Sequence, residues 1–315
     1  MKPLGSLLSI NQLTTEQIES ILALARRMDP NRASQGLRGK RVVLLFYEAS
    51  TRTRTSFEFA AKALGAVTTL VTATSSSIEK GESLIDTGWT IECIGADVIV
   101  MRHPNSGSAH LLARYMSVPV VNAGDGMHQH PSQALLDALT MLNHKKRLRG
   151  LRVVIVGDVY HSRVARSNAE LLSRFGAEVI FCGPREFVPE VAATLAPGIV
   201  VSHDLNAALQ GADVVMALRV QKERLTGAHR VAEYVADYQV TPQRMKLAKP
   251  DAILMHPGPV IRGMELSSEV ADGPQSCIRE QVRNGVKTRM AILAMVMGAA
   301  RTAEAVCLRR YNDIL

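Results

Sequence analysis

The chain has 315 residues, 47% of them apolar and 21% charged, which suits a globular protein with room for two cores. Its formal net charge is +8, but the basic residues are scattered and aromatics make up only 4%, so no nucleic-acid partner is expected. No apolar run reaches membrane-spanning length, and Met1-Lys-Pro-Leu-Gly-Ser6 lacks the apolar stretch of a signal peptide, so the expectation is a cytoplasmic protein with no membrane partner.

In chain order, a helix is expected over roughly 14–27, followed by strands near 41–47, 66–72, 97–101 and 118–122. These alternate with helices near 53–64, 82–95, 107–116 and 131–143. Strands separated by helix-length segments imply parallel βαβ units, and almost wholly apolar strands such as Asp97-Val-Ile-Val-Met101 imply a sheet covered on both faces. The charged stretch Asn143-His-Lys-Lys-Arg-Leu-Arg-Gly150 is the best domain boundary. Beyond it, strands are expected near 152–157, 177–182, 198–202, 213–218 and 252–256, then a long apolar helix over 286–306 that packs back onto the rest. No repeat, linker or low-complexity tract is present.

Ligands of open α/β sheets gather at the carboxyl ends of the strands. In order, those ends read Ser50-Thr-Arg-Thr-Arg54, Arg102-His-Pro104, His130-Pro-Ser-Gln133, Arg163, Arg219-Val-Gln221 and His256-Pro-Gly-Pro-Val260, a set rich in arginine and histidine that suits anionic substrates. The first segment is the most informative. Arg52 and Arg54 fall in the first turn of a helix, where the dipole mildly repels cations unless an anion compensates them. The hydroxyls of Ser50, Thr51, Thr53 and Thr55 and the first-turn amides supply donors for phosphate oxygens. The bland alternative is an ordinary cap at Ser50 or Thr51 with solvated arginines. The segment is not a Walker loop, because the glycines and the Gly-Lys-Ser/Thr ending are missing.

Ser50-Thr-Arg-Thr-Arg54 matches the phosphate signature of the carbamoyltransferases, and His130-Pro-Ser-Gln133 resembles their His-Pro-x-Gln motif. Lys80-Gly-Glu82, Met101-Arg-His-Pro104, Asn122-Ala-Gly-Asp125, Arg219-Val-Gln-Lys-Glu-Arg224 and His256-Pro-Gly-Pro259 resemble the aspartate branch. The likeness runs in order along nearly the whole chain, which thus resembles the aspartate/ornithine carbamoyltransferase family. That resemblance implies an α/β fold of two domains, each a parallel sheet flanked by helices, with terminal helices joining them. Residues 1–145 would bind carbamoyl phosphate, 146–285 aspartate, and 286–315 would form a C-terminal helix packing back on the first domain. It further implies transfer of a carbamoyl group from carbamoyl phosphate to the amine of L-aspartate, towards pyrimidines, without a cofactor. Arg52, Thr53, Lys80, Arg102 and His130 would be catalytic. Ser50, Thr51, Arg52, Thr53, Arg102, His130, Gln133, Gly258 and Pro259 would bind carbamoyl phosphate, and Lys80, Arg163, Arg219 and Gln221 aspartate. Carbonyls at Pro257 and Gly258 would orient amines. The loop with Ser76, Ser77 and Lys80 would reach a neighbouring subunit of a homotrimer, with regulatory or dihydroorotase-like chains left open.

The same residues admit other readings. A Rossmann dinucleotide site fails, since the strand Arg152-Val-Val-Ile-Val-Gly157 is followed by Asp158-Val-Tyr-His-Ser-Arg163 without the further glycines. His130 ahead of Pro131 also suits a helix start or a core position. His128-x-His130 lacks a third ligand at the spacing of a known metal site, so no metal is expected. Cys93, Cys182, Cys277 and Cys307 are widely spaced and read as reduced structural thiols. Lys80 taken alone is a solvated loop lysine. The ornithine branch would carry a His-Cys-Leu-Pro segment and a Ser-Met-Gly loop where this chain has His256-Pro-Gly-Pro259 and Arg219-Val-Gln221. Gly258-Pro-Val260 and Glu79 depart from the best-known bacterial pattern, which has a Leu-Pro-Arg ending and a second basic residue there. A solute-binding protein of paired α/β domains is the rival from outside enzymes.

Overall fold

The computed structural model describes residues 4–32, 34–72, 81–220 and 228–299. The chain divides into two compact units, one of residues up to Leu139 together with those from Val282 onward, the other Thr140–Gln281. Among the described residues no helix is long and apolar enough to cross a membrane.

The first unit opens with α1 (Thr15–Arg27), started by a reciprocal cap in which Thr14 Oγ1 accepts from Gln17 N and Gln17 Oε1 accepts from Thr14 N. Its sheet is wholly parallel, in the order β2 (Val67–Thr72), β1 (Arg41–Phe46), β3 (Val98–His103), β4 (Val120–Asp125). Between the strands run α2 (Thr51–Ala63), α3 (Leu84–Cys93) and α4 (Ser108–Tyr115). Val43, Leu45, Ile99, Met101 and Val120 pack one face against Ile91, Ala109 and Leu112. The edge strand β2 departs from the all-apolar expectation, as no residue of Val67-Thr-Thr-Leu-Val-Thr72 is buried. From α5 (Pro131–Lys145), residues 131–141 are buried on every side.

The second unit holds a parallel sheet in the order β7 (Val200–Ser202), β6 (Glu178–Cys182), β5 (Arg152–Val156), β8 (Val214–Ala217), β9 (Ile253–Met255). Helices α6 (Arg163–Arg174), α7 (Leu205–Leu209), α8 (Ala228–Tyr238), α9 (Pro242–Met245) and α10 (Ser268–Ala271) accompany it. Val154, Val156, Ile180, Val215, Ala217 and Leu254 form its core with Leu205, Leu209 and Met245.

The last described helix, α11, runs Ile278–Val296, so it begins eight residues before the expected 286. Its polar first turns and Gly285 disguise the start in sequence. Gly285 is tolerated because a Cβ there would meet Arg289 Nη1 at 2.5 Å, so the glycine makes room for that side chain. Near its far end, Met295 O accepts from Leu4 N, tying this helix to the start of the first unit. Residues 300–306 of the expected helix lie outside the described residues.

Candidate active site

In the first sheet the chain leaves neighbouring strands β1 and β3 towards opposite edges, which makes their carboxyl ends the place where loops part and a ligand fits. The loops are braced there. Tyr47 N donates to Arg102 O (2.9 Å), and the Tyr47 ring tilts against His103 with centroids 4.6 Å apart. His103 Nδ1 accepts from Asn105 N (3.0 Å), and burial lowers its pKa, keeping this imidazole neutral and structural. Arg102 Nη2 donates to Glu48 Oε1 at 2.5 Å, with the Arg102 side chain only 11% exposed. A largely covered arginine held by a carboxylate is a fixed cation.

Ser50 caps α2, its Oγ accepting from Thr53 N (3.3 Å), so the plain capping role is real. It does not compete with anion binding, since the hydroxyl proton remains to donate. The first intrahelical bond runs from Arg54 N to Ser50 O (3.1 Å), so the Thr51 and Arg52 amides precede the helical ladder. Thr53 is buried, and Arg52 is partly buried, with its pKa lowered by that burial.

His130 stands at the start of α5, where its carbonyl accepts from Gln133 N (2.9 Å), and its side chain is buried with Nδ1 3.4 Å from Ser132 Oγ. Gln133 Nε2 donates to the fully buried Asp137 Oδ1 at 2.9 Å. That contact fixes the amide plane and leaves its carbonyl oxygen as the acceptor on offer. Behind this group lies Arg289, buried in α11, with its guanidinium 5.0 Å above the Phe57 ring. Burial pushes its pKa down to about 9, Asp137 opposes that, and Arg52 and Arg102 add to it, so the three cations share one field. Sequence reading missed Glu48, Asp137 and Arg289. A lone arginine on the apolar stripe Thr288-Arg-Met-Ala-Ile-Leu293 was the available signal for the last.

His128 does not pair with His130. Its Nδ1 contacts Asp125 Oδ2 (3.0 Å), and the donor atoms of His110, Asp125 and His128 lie within 4.8 Å of one another. Asp125 is already the hub of its turn, accepting also from Gly107 N (2.7 Å), Asn122 Nδ2 (2.8 Å) and Gln129 N (3.1 Å).

The second sheet repeats the arrangement between β5 and β8. Gly157, at φ +125°, follows β5, and a Cβ there would meet Leu218 O at 3.2 Å, so only glycine lets the two strand ends close up. Buried Asp158 holds His161 Nδ1 at 2.9 Å, Ser162 caps α6, and Arg163 is that helix's first residue. Arg219 is exposed, two residues beyond β8. His256 differs from its strand-end neighbours: its Nδ1 accepts from Gly258 N (2.7 Å) and its Nε2 faces Glu265 Oε1 (3.1 Å), so the ring braces the 256–261 turn. Glu265 Oε1 also accepts from Ile261 N (2.6 Å), and the Gly258–Pro259 bond within this turn is cis. Ser76, Ser77, Lys80 and Gln221 lie outside the described residues.

Two doubly wound parallel sheets, with cations and a capped helix start at their strand ends, define an α/β protein built to receive anionic ligands. Comparison with known proteins gives the family. Residues 6–143 match the aspartate/ornithine carbamoyltransferase carbamoyl-P binding domain, and residues 149–296 match the Asp/Orn binding domain of the same family. The chain belongs to the aspartate/ornithine carbamoyltransferase family. It is 62% identical to an aspartate carbamoyltransferase catalytic subunit of Koribacter versatilis over 93% of this chain and 97% of that one. An aspartate transcarbamoylase from Trypanosoma cruzi, solved with carbamoyl aspartate and phosphate, superposes with TM-score 0.82 at 33% identity over 93% of this chain and 95% of that one. An ornithine carbamoyltransferase from Pyrococcus furiosus superposes with TM-score 0.85 at 30% identity over 95% of this chain and 99% of that one, so the fold alone does not select the acceptor.

Proposed function

We propose that the protein is the catalytic chain of an aspartate carbamoyltransferase, moving the carbamoyl group of carbamoyl phosphate to the amine of L-aspartate and releasing N-carbamoyl-L-aspartate and phosphate. The observation that carries this reading is the Arg102 guanidinium, clamped by Glu48 at 2.5 Å where β1 and β3 part. In this reading the first unit receives carbamoyl phosphate. Ser50, Thr51, Arg52 and Thr53 hold the phosphoryl oxygens with the first-turn amides of α2, and Arg102 offsets their charge. Thr53, Arg102 and His130 donate to the carbonyl oxygen as it becomes an oxyanion, each donor worth about 2.7–4 kcal/mol. The Gln133 carbonyl accepts from the carbamoyl amide, its own nitrogen being committed to Asp137.

The second unit receives aspartate, with Arg163 and Arg219 matching two carboxylates through guanidinium forks. Lys80 and Gln221 take the aspartate-side roles that the family likeness implies. The attacking amine must be uncharged, which surrounding cations favour by lowering its pKa. The departing phosphate takes its proton, and catalysis is mainly orientation and electrostatics. An arginine at 219 repels the side-chain ammonium of ornithine, which favours the aspartate branch. We propose further that the chain works in the cytoplasm in pyrimidine synthesis, as a homotrimer in which Ser76, Ser77 and Lys80 serve a neighbour's site. The likeness of that loop supports the shared site, and the words "catalytic subunit" in the relatives' names support a multi-chain assembly. Steady-state kinetics of Arg219→Ala test the acceptor assignment. The KM for aspartate should rise at least ten-fold with kcat reduced, since the substrate carboxylate loses its bidentate guanidinium partner, and the KM for carbamoyl phosphate should move less. An unchanged aspartate KM would remove Arg219 from the site.

A further inference from the structure

Outside the site described above, one cluster of side chains converges on a single nitrogen. His144, on the last turn of α5, has Nε2 2.7 Å from Glu280 Oε2 and 3.4 Å from Cys277 Sγ. The donor atoms of all three lie within 4.8 Å of one another. Asn143 Nδ2 donates to the other Glu280 oxygen (3.1 Å), which fixes how the carboxylate is turned. Cys277 is buried, whereas the His144 and Glu280 side chains are 37% and 28% exposed, so the cluster is closed on the protein side and open to water on the other.

We infer that His144, Cys277 and Glu280 form a binding site for a borderline-soft divalent cation of the zinc type. One sulfur, one imidazole nitrogen and one carboxylate oxygen suit Zn²⁺ or its substitute Co²⁺, and do not suit Mg²⁺ or Ca²⁺, which prefer oxygen-only shells. A tetrahedral ion with bonds of about 2.0–2.3 Å sets its donors roughly 3.5 Å apart, so the sulfur and nitrogen are already spaced for it and the carboxylate has to withdraw by less than about 1 Å. The fourth position falls to water on the exposed side. Binding releases the thiol proton to solvent and leaves His144 a neutral imidazole that carries its proton on Nδ1, while Asn143 keeps the carboxylate oriented from behind. A simple histidine–carboxylate pair at a half-exposed position contributes little and does not call for a thiol against the same nitrogen. The ion would tie the last turn of α5 to the first turn of α11. The cluster of His110, Asp125 and His128 is the natural control, because its carboxylate is already spent on the turn's hydrogen bonds.

Titration of the full-length protein, stripped of metal by chelation, with Co²⁺ tests the site. The expected result is one Co²⁺ per chain with thiolate-to-cobalt charge-transfer absorption, displaced by Zn²⁺. Cys277→Ser should abolish that absorption, His144→Ala and Glu280→Gln should weaken binding at least ten-fold, and His110→Ala should leave it unchanged. If Cys277→Ser fails to fold, His144→Ala carries the test. Absence of the charge-transfer absorption in the parent protein, its survival in Cys277→Ser, or unchanged affinity in His144→Ala would overturn the proposal.

Discussion

In the proposed mechanism Arg102 serves a reacting carbonyl only if its guanidinium stays in one place, and Glu48 helps to hold it there. Replacing that carboxylate by a neutral amide keeps a hydrogen-bond acceptor of the same shape but gives up the charge-assisted part of the contact, a difference of about 1 kcal/mol. Glu48→Gln should therefore lower kcat roughly five- to ten-fold by that estimate. The KM for carbamoyl phosphate should stay the same or fall, because a negative charge beside the proposed phosphate subsite is gone. Steady-state kinetics with carbamoyl phosphate varied separate these two effects, and a raised KM with unchanged kcat would mean that Glu48 does not orient Arg102 for the chemistry. At this scale the sequence displays the donors but hides their supports. Ser50, Arg52, Arg102 and His130 are legible because they follow apolar strands or open helices in residue types that suit anions. Glu48, Asp137 and Arg289 are not, because each acts through a partner that only folding supplies: Arg102 lies 54 residues beyond Glu48, and Arg289 meets Phe57 across most of the chain.

Among elements, strands were legible and helix ends less so. Buried parallel strands need continuous apolar runs, and Val42-Val-Leu-Leu-Phe46 and Val153-Val-Ile-Val156 announce themselves. The start of α11 did not, because Ile278-Arg-Glu-Gln-Val-Arg-Asn-Gly285 pairs a polar run with a glycine whose reason is the Arg289 side chain. The turn between β4 and α5, which delivers His130, rests on Asp125. Burial works to raise the pKa of this carboxyl, but hydrogen bonds from His128, Asn122 and the Gly107 amide outweigh burial and lower it. A carboxyl with a folded pKa below its unfolded value of about 3.9 adds stability above that value, and the stability is lost as pH falls through the folded pKa. Asp125→Asn should thus cost about 1.5–3 kcal/mol at neutral pH, with hydrogen bonds to a charged acceptor removed, and should make stability less steep in pH below about 4. Urea midpoints measured from pH 7 down to pH 3 check both; parallel pH curves for parent and variant would show that Asp125 is not the titrating hub.

At the scale of the whole molecule, the proposed reading assigns carbamoyl phosphate donors to one unit and aspartate donors to the other, and takes a third contribution from a neighbouring subunit. If Lys80 serves a neighbouring subunit in a cyclic trimer, Arg52→Ala spoils a chain's own phosphate pocket and Lys80→Ala spoils the arm it lends. Both variants alone should be nearly inactive. In trimers containing both kinds, one junction joins an intact pocket to an intact arm, so about one site in three should recover by symmetry. Activity after mild dissociation and reassociation of the two purified variants, with mixed trimers verified by mass, measures this. No recovery would assign Lys80 to its own subunit or to solvent.

The kinetic expectations depend on the reaction itself. The most direct test supplies the purified protein with carbamoyl phosphate and, in parallel, L-aspartate or L-ornithine, and quantifies the carbamoylated product of each together with released phosphate. Carbamoyl-aspartate and phosphate should form in equal amounts, with negligible turnover of ornithine. Citrulline formation exceeding carbamoyl-aspartate, or binding of carbamoyl phosphate without transfer to either amine, would contradict the assignment.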